Sequence, residues 1–230
     1  MQVNAWPTAK SVDDVLERMD LIDRSLPRDD GVAVFNRMYQ QVTTLVQDGL
    51  DADLFQAGDF LAHLDVIFAN YFFDAYAADL SGGKVPRAWA PLFDHRRKPN
   101  THPIQFALAG MNAHIAHDLP HAVIDTCRDS GLAPEYDSPQ HRDYCTTNEV
   151  LESATPQIKT WFHSGAAGVL DDVGGRVDDA LEMWGLVAAR SMAWIVAETL
   201  WGLADNPTLL ELFGRGHRRA VELTGRGILI

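Results

Sequence analysis

From Asp53 to Leu80 the chain is apolar almost all the way round a helical projection, most densely in FLAHLDVIFANYFFDAYAADL. A helix of that composition belongs at the centre of a domain, with other elements packed on every side. It stops at Ser81-Gly82-Gly83. Elsewhere apolar residues recur at helical spacing, and alternating runs bounded by turn signals are nearly absent. The expected fold is therefore all-α: one domain, a bundle of roughly eight or nine helices around a buried central helix pair. A chain of 230 residues buries enough surface for such a core without disulfides or metals.

The flanking segments fit this picture. Ser11 followed by Val12, Val15, Leu16, Met19 and Ile22 reads as a capped amphipathic helix ending near Pro27, and Gly31 to Asp48 reads as a second. Val85 to Thr101 is rich in Pro, Arg and Trp, which predicts a long loop with a short helical turn around Trp89 that could serve as a lid. A helix should begin at His102 with Pro103 in its first turn and run to Pro120, which kinks or ends it. Further helices are expected from about Gln140 to Glu152, from Pro156, from Val177 to Leu203 and after Pro207. The acidic run from Leu170 to Asp179 lacks the oxygen spacing of a calcium loop and reads as a turn before a helix N-terminus.

Charge and cysteine content narrow the function. A net charge of −13 opposes binding to nucleic acid or to an anionic membrane, because phosphate-tracking surfaces are basic. Met183 to Leu203 is about long enough to cross a bilayer but contains Arg190 and Glu198, so it reads as a core helix. The start, MQVNAWPTAKSVDDVLERMD, has neither the basic residues nor the apolar run of an export signal, and Cys127 and Cys145 lack paired spacing. A cytoplasmic protein acting on a small, apolar molecule is the expectation.

Polar residues on the apolar helices are the candidates for chemistry. At 100 degrees per residue, Asp59, His63, Asn70 and Asp74 fall on one stripe, all within about 40 degrees of His63. In NAHIAHDLPHAV, His114 and Asp118 stand four apart and share a face with the small residues Ala107 and Gly110, which leave room for a ligand. His117 is adjacent, His121 lies past the proline, and Asn112 projects from the opposite face. His141 and Asn148 stand seven apart on a later helix. Buried carboxylates must pair, bind a cation or stay protonated, with Arg190 the evident partner for Asp74 and Asp118. The expected site joins His63 and Asp74 from one helix to His114 and Asp118 from the next. Asn70, Asn112, His117, His121, His141 and Asn148 could line it.

Together, FANYFFDAY, VPRAWAPLF, FALAGMNAHIAHDLP and HRDYCTTNEV resemble an actinobacterial family of all-helical domains of unknown function, over about residues 55–200. That resemblance implies a single helical domain and no particular activity. His114-Ile-Ala-His-Asp118-Leu-Pro-His121 also resembles the His-x-x-x-Asp step of helical zinc-dependent phospholipases C and single-strand nucleases, which implies metal ligation by His114, Asp118 and His121.

Three functions are open to such a chain. A divalent metal (Zn, Mn or Fe) held by His63, Asp74, His114 and Asp118 would give a hydrolase acting on an ester, amide or phosphoester. The ferritin-like Glu-x-x-His steps are missing, which disfavours di-iron chemistry. A buried Asp/His pair without metal would give a cyclase or isomerase of specialised metabolism, with Arg190 available to the site. A non-catalytic helical module would use the same polar groups only to hold its helices in register. There is no Gly-rich phosphate loop, so no nucleotide cofactor is expected.

Overall fold

A computed structural model describes residues 7–163 and 185–230. The described residues form helices and no strand: α1 (Val12–Ser25), α2 (Gly31–Asp51), α3 (Gly58–Ser81), α4 (Ala90–His95), α5 (Pro103–Ala113), a π-helical turn (His114–Asp118), α6 (Leu119–Asp129), α7 (Pro139–His163), α8 (Leu186–Gly202) and α9 (Pro207–Ile228). The acidic run at 170–179 and the first part of the helix expected from Val177 lie outside the described residues.

Local chemistry accounts for the ends. Ser11 caps α1 by accepting the Asp14 N–H while the Asp14 carboxylate accepts the Ser11 N–H, a reciprocal box that satisfies two otherwise bare donors. Gly82 ends α3 in the left-handed region, at φ 67°, where a side chain would be strained. Two expected breaks are absent. Pro156 does not start a new helix, because α7 runs through it. Pro120 does not end the fourth long helix either, since α5, the π turn and α6 follow one another without a loop.

One apolar core runs from Ala9 to Leu229. α5 is its most enclosed helix, with every residue but Gln105 buried, and it packs on α2, α4 and α9. α3 packs chiefly on α6 and α1, and also on the π turn, α7 and α2. The central pair is thus α3 with the second half of the long helix that α5 begins. Gly110 does not open a space, as its small size suggests. A Cβ there would collide with the Phe35 ring, so the glycine lets α2 press against α5.

The 85–101 segment contributes to the wall of the core. Ala88, Trp89 and Leu92 are at most 1% exposed. Arg96 anchors the C-terminal end of α4: its Nε donates to both carboxylate oxygens of Asp30, at 3.0 and 2.9 Å, and Nη1 donates to Asp79 at 2.7 Å. Those bonds tie the segment to the start of α2 and the end of α3, leaving Trp89 fixed beside the π turn.

Candidate functional site

The site begins with a backbone irregularity. Pro120 has no N–H, so it cannot bond the carbonyl of Ala116 one turn earlier. The helix widens instead, and the Leu119 N–H reaches back five residues to the His114 carbonyl. The freed Ala116 carbonyl accepts a hydrogen bond from His217 Nε2 of α9 at 2.7 Å. Insertions of this kind re-aim side chains and are frequent at functional sites. Here the wider turn places two imidazoles on one carboxylate.

Asp118 is the hub. Its Oδ2 accepts from His114 Nδ1 at 3.0 Å and from Trp89 Nε1 at 2.9 Å, and its Oδ1 accepts from His117 Nδ1 at 2.7 Å. Both Asp118 and His114 are 1% exposed. Burial alone would raise the Asp118 carboxyl, but the hydrogen bonds from the two histidines outweigh it and hold it below the usual range. Burial lowers the His114 imidazole, and the attraction of Asp118 only partly offsets that. Asp118 is therefore ionised and His114 neutral. The shared hydrogen sits on His114 Nδ1, which leaves Nε2 with its lone pair.

His114 Nε2 is buried and has no hydrogen-bond partner. The ring lies flat against Phe68, with centroids 3.5 Å apart and planes 6° from parallel, and the Tyr39 ring stands 4.5 Å away. Phe35, Phe72 and Trp89 complete an aromatic enclosure. The same region holds other bare polar atoms. The Tyr39 and Thr43 hydroxyls of α2 and Asp65 Oδ2 of α3 are sealed from solvent without a hydrogen bond of ordinary geometry. Each such group costs about 1–3 kcal/mol if nothing fills it. Burial pushes the Asp65 carboxyl up to about 7, with the positive charge of Arg190 pulling the other way. Burial first, and the Asp65 charge second, keep the Tyr39 hydroxyl protonated.

Arg190 closes this end. It is 7% exposed, donates from Nε to Asn148 Oδ1 at 2.6 Å, and lies over the Tyr144 ring at 4.4 Å, while the Tyr144 hydroxyl donates to the Arg190 carbonyl. Of the residues singled out from sequence, the structure thus joins His114 to Asp118 and His117, and Arg190 to Asn148. Arg190 favours the charged form of Asp65, while Asp118 is held by His114, His117 and Trp89 and Asp74 lies near Arg18.

The other half of the expected site is not brought to His114. The stripe on α3 exists, but it is the outer one. His63 is 44% exposed at its side chain and pairs with Asp129 at 3.1 Å, and Asp74 is exposed near the Arg18 charge. Asn70 latches the Ala9 backbone, accepting its N–H and donating to its carbonyl, both at 3.0 Å. Asn112 donates to the Val221 carbonyl and holds α9. His141 stays at the end of α7, accepting from the Asp137 N–H with its ring against Trp194. The residue missed is Asp65. It falls on the same stripe as Leu61, Phe68, Phe72 and Tyr76, and an acid within the most apolar face was the signal.

His121 turns the opposite way from His114. Its ring is 5.2 Å from that of His117 and lines a groove of about 290 Å³ between α6 and α9, with Asp125, Arg128, Glu211, His217 and Arg218. His114, Asp118 and His121 therefore do not face a common centre, as the metal step of the phospholipases would require. Among the described residues, no three His, Cys, Asp or Glu side chains are gathered as a metal site.

Residues 12–230 match the model of a family of unknown function, DUF5995, and the chain belongs to that family. No curated protein and no solved structure matches it.

Proposed function

We propose that this member of the DUF5995 family is an enzyme of proton transfer, with His114 as its base, acting on a small and largely apolar molecule between α2, α3, α8 and the π turn. The bare, buried Nε2 of His114 carries this reading. An imidazole whose Nδ1–H is fixed on an ionised carboxylate presents its lone pair at the other nitrogen, ready to accept a proton. Asp118 then steadies the imidazolium that forms, and the proton can be returned to another atom of the same molecule. The aromatic walls exclude water, and Arg190 supplies a positive charge close to Asp65 and Tyr39. Isomerisation or cyclisation fits such a site, since neither needs a co-substrate.

A metal-dependent hydrolase is the second reading, and one feature favours it. The same tautomer offers Nε2 as a metal ligand, with its Nδ1–H held by a carboxylate in the manner of metal-bound histidines. Asp65 is the acid on the interior face that could join it, in place of His63 and Asp74. Two unpaired cysteines, one buried and one exposed, suit a cytoplasmic setting.

Both readings are tested together. The protein is incubated in D2O with a panel of small carbon acids and esters and followed by proton NMR, while its metal content is measured on untagged protein. Proton transfer replaces a C–H signal of one panel member by deuterium, and His114→Gln lowers that rate about 10²–10⁴-fold while His63→Ala leaves it unchanged. Ester cleavage that requires stoichiometric zinc, manganese or iron would favour the hydrolase. Exchange that is insensitive to His114, or no reaction with any compound, would count against an enzyme with this base and favour a helical binding module.

A further inference from the structure

His114 is not the only bare group in the interior. The Tyr39 and Thr43 hydroxyls, which lie beside one another, and Asp65 Oδ2 are also sealed and make no hydrogen bond of ordinary geometry. Tyr39 and Thr43 are one turn apart on α2, and Asp65 is one turn before Phe68, the ring stacked on His114. The two kinds of group differ in what they ask of a ligand. His114 Nε2 needs a hydrogen to accept. Burial first of all keeps the proton on Tyr39, and burial raises the Asp65 carboxyl to about 7, so that below that pH it too carries a proton. Both therefore need an acceptor. A single small molecule that satisfies all of them carries a removable hydrogen at one end and a lone-pair oxygen at the other.

We propose that the Tyr39 hydroxyl and the Asp65 carboxyl form the oxygen-binding end of this site, so that its substrate is a carbonyl compound with a removable hydrogen on the neighbouring carbon. This rests on the reading of His114 as the base. The step balances within the substrate and the protein. His114 Nε2 takes the proton, the C–H pair becomes a carbon–carbon double bond, and the carbonyl π electrons move to oxygen. The resulting enolate oxygen accepts hydrogen bonds from Tyr39 and protonated Asp65. Return of the proton from His114 to another position completes an isomerisation with no oxidant, reductant or second substrate. A phenol beside a neutral carboxylic acid is an effective donor pair for such an oxygen, because neither has to be reorganised as the charge develops. Thr43, one turn further along α2, stands beside the Tyr39 hydroxyl.

An equilibrium probe tests this end of the site without turnover. Substituted phenolates resemble an enolate in carrying a negative oxygen on a flat carbon frame, and 4-nitrophenol reports its ionisation by its visible absorbance. The intact protein should bind 4-nitrophenol in its ionised form. Tyr39→Phe and Asp65→Ala should each weaken binding about 10- to 100-fold, the range for a hydrogen bond to a charged group. Asp65→Asn keeps an N–H donor and should stay within about threefold of wild type, and His63→Ala should have no effect. Tyr39→Phe and Asp65→Asn change no side-chain volume to speak of, so a folded protein remains available even if Asp65→Ala unfolds. Binding of the neutral phenol only, binding indifferent to Tyr39 and Asp65, or no binding would overturn the proposal. If deuterium exchange at His114 persists while phenolates fail, the oxygen site alone is wrong. If phenolates bind through Tyr39 and Asp65 but no exchange occurs, the oxygen site stands and the base is wrong.

Discussion

Replacing Asp65 by Asn separates a protonated interior acid from an ion pair with Arg190, because the two give stability changes of opposite sign with pH. In the folded protein burial pushes the carboxyl from 3.8 to about 7. Below the unfolded value both states are protonated and the group contributes nothing. As pH rises from there to about 7 the unfolded chain loses this proton and the folded one keeps it, so stability falls; above that range both are ionised and the loss is complete. At about 1.4 kcal/mol for each tenfold change, moving the carboxyl this far is worth roughly 4 kcal/mol. The residue as a whole is only partly covered, so a discounted figure of about 2–4 kcal/mol is the expected effect. Urea unfolding of wild type and Asp65→Asn at about pH 4 and about pH 8 measures it, and the difference between the proteins cancels every other titration. Asp65→Asn should gain on wild type by that amount between the two conditions. A flat difference would refute the reasoning. A variant that loses ground as pH rises would show that Arg190 wins and that Asp65 is an anion unable to donate.

Asp118→Asn should destabilise the protein by about 3–5 kcal/mol in urea unfolding, because three N–H groups would compete for one uncharged acceptor, whereas exposed His63→Ala should stay within about 0.5 kcal/mol. Burial holds the His121 imidazole down at about 4. Its stabilising share is therefore full above the ordinary value of 6.5 and lost as pH falls through the window between them. Denaturant titrations across this window should show His121→Gln losing less stability on acidification than wild type. Gly110→Ala should cost about 1–3 kcal/mol by the same measurement, since the added methyl collides with Phe35 and forces α2 away from α5.

The fold was legible because apolar spacing alone dictates which faces must be covered. The wholly apolar stretch of α3, the start at Pro103 and the stop at Gly82 all come from local chemistry. Spacing does not supply the side of a helix on which a polar line will fall. Asp59, His63, Asn70 and Asp74 do share a stripe, but α1 and the loop before it cover only part of that face, so it became the outer edge. Asp65 sat among Leu61, Phe68 and Phe72, where an acid is costly, and that cost marked it as the interior group. Pro120 misleads in a different way. Loss of its N–H suggests a break, yet widening the helix by one residue and capping Ala116 with His217, about a hundred residues away, preserves the rod. The i, i+4 pairing of His114 with Asp118 survives this, while the second imidazole on the carboxylate, His117, depends on it.

The reading of His114 as a base depends on one proton being on its Nδ1 and none on its Nε2. Nitrogen-15 NMR of histidine-labelled protein reads both atoms directly, with His114 assigned by its absence from His114→Gln. The expected spectrum at neutral pH shows a protonated Nδ1 coupled to its hydrogen and an Nε2 shift typical of a bare lone pair, persisting below the ordinary imidazole value of 6.5. A protonated Nε2 at neutral pH, whether as the other tautomer or as imidazolium, would contradict the account.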